Sequence, residues 1–131
     1  MMLVGFLVAL LADNIIGMLW YSPTLFGNSW IKLTHPGKRI TELKANPGVY
    51  IAANIGHVIV ATTIYFITHI FMQVTDFSSA FRLSSWLCAL VWGSQIPHSV
   101  FSGKPSCLFL IDQGYDAVSI FTTTAIITMF A

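Results

Sequence analysis

Charge is what this sequence has least of. Only 8% of its 131 residues are Asp, Glu, Lys or Arg while 56% are hydrophobic, against about a quarter charged in soluble proteins. Six basic and five acidic residues leave a formal net charge of +1, with no basic cluster of the kind that phosphate contacts need, which excludes a nucleic-acid partner. Cysteine is equally scarce. Cys88 falls inside an apolar run and Cys107 at the start of another, which excludes an exported disulfide framework. The apolar N-terminus has no positive flank ahead of it, and Asp13-Asn14 stands where a cleavage site would be, so the segment is expected to be a retained span rather than a signal peptide. No His-Glu-x-x-His motif and no nucleophile elbow occurs, so neither a zinc hydrolase nor a Ser-His-Asp hydrolase has a signature here.

Long apolar runs are what is present. Crossing about 30 Å of hydrocarbon takes roughly 20 residues, and runs of that length occur at about 2–21, 48–72, 81–101 and 106–130. The reading is an all-α integral membrane protein, a single domain built as a four-transmembrane-helix bundle. Trp20, Tyr21, Pro23, Phe26 and Trp30 close the first span as interfacial anchors, since indole and phenol rings suit headgroup depth and proline ends helices. The first connection is the longest. Its part from Leu25 to Leu33 suits the interface plane, and Ile40 to Ala45 suits one or two helical turns. The short links between later spans force antiparallel neighbours, and Pro97 is expected to kink the third. Lys32, Lys38, Arg39, Lys44 and Lys104 fall on the first and third connections, against Arg82 alone on the other side. This asymmetry places those connections in the cytoplasm and both termini on the non-cytoplasmic side.

Polar residues inside the runs gather at one depth. At the rise of an α-helix, Asp13 lies about 12 Å from the cytoplasmic end, Asn54 about 9 Å, His57 about 14 Å, Gln95 about 9 Å, His98 about 5 Å, Asp112 about 9 Å and Asp116 about 15 Å. Asn54 with His57, Gln95 with His98, and Asp112 with Asp116 each share a helix face. Charges at such depth turn toward the bundle interior and pair, yet no Lys or Arg lies there. Three carboxylates with two histidines as partners imply a protonated acid, a His–carboxylate relay or a bound cation. Asn and Gln also serve as packing glue between membrane helices.

Pro47, Asn54 and Gly56 recur as Pro105, Asp112 and Gly114 at the same offsets, with looser agreement of Trp20, Ser22, Pro23, Phe26 and Gly27 with Trp92, Ser94, Pro97, Phe101 and Gly103. This makes a candidate parallel two-helix pseudo-repeat.

Trp20-Tyr21-Ser22-Pro23-x-x-Phe26-Gly27-x-x-Trp30 and, more weakly, Asp112-Gln113-Gly114-Tyr115 resemble motifs of DUF1761, a family of small four-span membrane proteins. The resemblance covers nearly the whole chain. It implies a compact integral membrane protein and carries no catalytic residues with it.

Three functions follow as expectations. The leading one is a cytoplasm-facing polar site that binds or transports a proton, cation or small polar solute. There Asp112 and Asp116 titrate or bind the ion, His57 and His98 are partners, and Asp13, Asn54 and Gln95 complete the lining. No organic cofactor is implied, a bound cation is compatible, and the identity of any metal is open. The second is a structural or accessory subunit, working as a homo-oligomer or in a larger membrane complex. The third is a membrane enzyme on a lipid-like substrate, which the lack of an enzyme signature disfavours.

Overall fold

The computed structural model describes residues 1–44 and 46–131, and among these every regular element is helical. Five α-helices are formed: α1 (Met2–Trp20), α2 (Gly27–Thr34), α3 (Pro47–Phe66), α4 (Phe77–Phe101) and α5 (Ser106–Met129). A 3-10 turn, Ile40–Glu42, lies between α2 and α3, and α3 runs on as a π-turn, Ile67–Phe71. Ala45, the end of the helical turn expected from the sequence, lies outside the described residues.

Local chemistry sets the boundaries. At the end of α1 the chain folds back on itself, with Phe26 N donating to Trp20 O at 3.0 Å and Gly27 N to Ser22 O at 2.9 Å. Gly27 is required there, because a Cβ would meet the backbone carbonyl oxygen of Tyr21, and would also lie 2.7 Å from the backbone of Ser22. The segment expected at the interface becomes α2, which buries Gly27 and Ile31. Asn46 caps α3 by accepting from Gly48 N at 2.9 Å, ahead of Pro47 in the first turn, where a missing N–H costs nothing.

The third segment starts at Phe77 rather than Phe81, because Asp76 caps α4 by accepting from Ser79 N at 2.9 Å. Hydrogen bonds from Ser79 hold the Asp76 carboxyl below its usual range. Pro97 does not end the helix; α4 runs through it to Phe101. Gly103, at φ 67°, then turns the chain into Pro105 and α5.

Among the described residues two helices are long and apolar enough to cross a membrane, Met2–Trp20 with mean hydropathy 2.2 and Pro47–Phe71 with 1.6. The sequence reading expected four. α4 and α5 are longer than α1 but carry more polar residues, and α5 turns many of its own inward: Gln113, Ser119, Thr123 and Thr124 are all buried.

α5 is the helix around which the rest is arranged. It packs along α1 on one side and α4 on the other and also touches α3 and α2, while α3 and α4 make no extended contact with each other. The apolar core lies toward one end. Ala9 of α1, Ile64 of α3, and Ile120 and Ile127 of α5 form its centre, with Leu87, Cys88 and Val91 of α4 against it. A second cluster of Val74, Ala80 and Leu83 continues it toward the α3–α4 turn. At the opposite end the first half of α3 and the second half of α4 are largely exposed. This end carries the polar groups.

Candidate functional site

The polar site is assembled on α5, where a four-residue spacing brings side chains onto adjoining faces of successive turns. Asp112, Asp116, Ser119 and Thr123 run up one stripe toward the core, with Tyr115 beside Ser119. All but Asp116 hydrogen-bond to a side chain from outside α5.

At the deep end is Asp13 of α1, at 0% exposure. Ser119 Oγ donates to Asp13 Oδ1 at 2.6 Å, and Thr123 Oγ1 lies 3.1 Å from Oδ1 and 3.0 Å from Oδ2. No Lys or Arg occurs in α1, α3 or α5. A buried carboxyl is thus held entirely by hydroxyls, which supply hydrogen bonds but no compensating charge.

One turn toward the polar end, Tyr115 Oη and His57 Nε2 are 2.8 Å apart. The Tyr115 hydroxyl packs on Gly17, where a Cβ would sit 3.4 Å from it. His57 Nδ1 is buried without a hydrogen-bond partner. Beside this pair Asn14 Nδ2 donates to Asn54 Oδ1 at 3.0 Å, linking α1 to α3.

At the shallow end Tyr21 Oη donates to Asp112 Oδ1 at 2.9 Å, and the Tyr21 ring lies 5.5 Å from that of Tyr115 and 5.6 Å from that of Trp30. Trp20 Nε1 donates to Ile111 O at 2.9 Å, and its ring fills the space left by Gly114, where a Cβ would be 2.9 Å away. Expected as anchors toward the lipid interface, Trp20 and Tyr21 therefore also turn inward and fasten α1 to α5. Phe26 stacks against Trp20 at 4.6 Å, and Pro23 is exposed in the turn.

The groups singled out in the sequence divide. Asp13, Asn54, His57 and Asp112 lie along the α1–α3–α5 side with the contacts above. Asp116 is half-buried on the same α5 stripe and makes no side-chain hydrogen bond to the described residues. Gln95 and His98 are exposed on the second half of α4, away from this cluster. Among the described residues no group of three or more His, Cys, Asp or Glu could hold a metal ion, so zinc has no ligand set here.

Sequence reasoning missed Asn14, Tyr115, Ser119 and Thr123. Ser119 and Thr123 extend the Asp112–Asp116 face at steps of three and four residues, which was the available signal. Trp92 Nε1 donates to Gln113 O at 3.0 Å, much as Trp20 does to Ile111 O. The pseudo-repeat stops there, for Gly114 receives a tryptophan whereas Gly56 has nothing within 4 Å.

A family model described as "Protein of unknown function (DUF1761)" matches residues 4–128. No curated protein and no solved structure matches the chain.

Proposed function

The chain belongs to the DUF1761 family of proteins of unknown function, and we propose that it is a four-span membrane protein whose α1–α3–α5 site takes up a proton or small cation from the cytoplasmic side. The observation that carries this reading is Asp13: a carboxyl with no exposure, held by the hydroxyls of Ser119 and Thr123, with no Lys or Arg on α1, α3 or α5. A solely structural role would be met at lower cost by Ser or Thr, since an acid at bilayer depth costs about 2.5–3.5 kcal/mol on insertion scales.

The surface supports the membrane setting. Leu3, Leu7, Leu11, Met18, Ile51, Ile55, Ile59, Trp86 and Leu90 all stand exposed, a larger apolar surface than soluble monomers present. The basic residues Lys32, Lys38, Arg39, Lys44 and Lys104 support an orientation with the shallow end of the site toward the cytoplasm, α1, α3, α4 and α5 as the proposed spans and both termini opposite.

The test is gradient-driven flux in vesicles carrying the purified protein, with proton and sodium gradients imposed separately. Wild-type protein is expected to dissipate at least one gradient, and Asp13→Asn to reduce that flux at least tenfold. Equal flux from a folded Asp13→Asn protein would overturn the reading.

A second reading, a subunit in an assembly of several copies, is favoured by the exposure of Gln95 and His98 at hydrocarbon depth, where amides and imidazoles need partners. It expects substitutions in the polar site to change stability and leave vesicles without any flux to lose.

A further inference from the structure

Resting on the reading of Asp13 as a cation-binding site, we infer that the cation is a proton, delivered to Asp13 through His57, Tyr115 and Ser119. Geometry separates the proton from larger ions. Oxygens around a calcium-sized ion lie about 2.3–2.6 Å from it, which sets neighbouring ligands roughly 3.3 Å or more apart. Ser119 Oγ and Asp13 Oδ1 are 2.6 Å apart, a hydrogen-bond distance with no place for an ion between them. Magnesium keeps several waters, whereas Asp13 is sealed at 0% exposure. A proton needs no added space. Ser119 Oγ at 2.6 Å and Thr123 Oγ1 at 3.1 Å both lie within hydrogen-bond distance of Oδ1, so an acid O–H formed on Oδ1 has a hydroxyl to donate to.

The delivery path follows the same hydroxyls. His57 Nδ1 is buried with no partner while Nε2 lies 2.8 Å from Tyr115 Oη. Tyr115 and Ser119 are one turn apart on one face of α5, and Ser119 Oγ reaches Asp13. A proton arriving at Nδ1 forms the imidazolium. Its Nε2–H passes to Tyr115 Oη as the phenol proton passes to Ser119 Oγ and the serine proton to Asp13 Oδ1. One proton enters and one is gained by the carboxylate, with His57 left neutral in its other tautomer. Tyr115 and Ser119 end with the protons they began with. The titratable groups facing Asp13 are His57 from α3 and Tyr115 from α5. Asp112 and Asp116 stand nearer the cytoplasmic end as acceptors of incoming protons.

The experiment is a rapid pH drop on the full-length protein in lipid, with proton uptake read by an indicator dye and carboxylic-acid formation by the infrared C=O band. Wild-type protein is expected to show that band and Asp13→Asn to lose it. Tyr115→Phe and Ser119→Ala, which keep the carboxyl and break the chain of hydroxyls, are expected to form it at least tenfold more slowly. An unchanged rate in both would overturn the relay. Sodium added at constant pH is expected to leave the band unaltered. If sodium instead removes it, the proton assignment fails while the cation-site reading survives; if Asp13→Asn keeps both the band and the vesicle flux, both readings fail.

Discussion

Removing both hydroxyls that hold Asp13, by Ser119→Ala with Thr123→Val, is expected to destabilise the bundle by about 2–5 kcal/mol, and Asp13→Leu is expected to recover much of that loss. Both substitutions are close in shape to the residues they replace, so cavities contribute little. The effect comes from stranding a carboxyl at 0% exposure without either hydroxyl donor. A buried polar group left unsatisfied costs about 1–3 kcal/mol, and more when charged. Replacing all partners with apolar groups of similar shape approaches neutrality, so the three sites should be strongly non-additive, as contacting residues in one network are. Thermal or denaturant unfolding in detergent, run as a cycle over the single, double and triple variants, measures the coupling. Additive losses would show that Asp13 does not depend on the hydroxyls.

Gly27→Ala is expected to loosen the junction of α1 and α2, with a cost of about 1–3 kcal/mol, the usual range for overpacking. The added methyl would press on the Tyr21 carbonyl oxygen and the Ser22 backbone, besides the Ile40 side chain. A side chain in the way could rotate, but backbone atoms move only if the turn opens. That turn positions Tyr21, so the Tyr21–Asp112 hydrogen bond at 2.9 Å should weaken with it. Gly114→Ala is the comparison. Its methyl meets only the rim of the Trp20 ring at 2.9 Å, and the ring can tilt. A larger fall in the unfolding temperature for Gly27→Ala than for Gly114→Ala is the expected order.

The helices were legible because hydropathy and capping chemistry are local. Proline and aromatics after Leu19 announced the end of α1, and Pro47 and Pro105 the starts of α3 and α5. The family was legible in the stretch from Trp20 to Trp30, and the match over residues 4–128 shows it. Rotation about each helix axis was not legible. Depth alone gave Gln95 and His98 the same standing as Asn54 and His57, but α4 leaves both of those side chains exposed. Likewise Asp112 and Asp116 drew the most weight as a carboxylate pair, whereas Asp13 has the complete burial. The face Asp13 presents depends on packing between α1 and α5, whose contacting residues are separated by about a hundred positions in sequence. Polar residues turned onto α5's packed faces also lower its hydropathy.

The central claim is a polar site embedded between membrane helices and reached from the side of the α1–α3 connection. It is tested most directly by placing a thiol at position 57. In a background of Cys88→Ala and Cys107→Ser, His57→Cys protein in oriented vesicles would be exposed to a membrane-impermeant thiol reagent from each side in turn. The account expects labelling only from the side that also labels a cysteine at Lys38. Labelling only from the opposite side, or equal protection from both sides while the Lys38 position reacts, would contradict it.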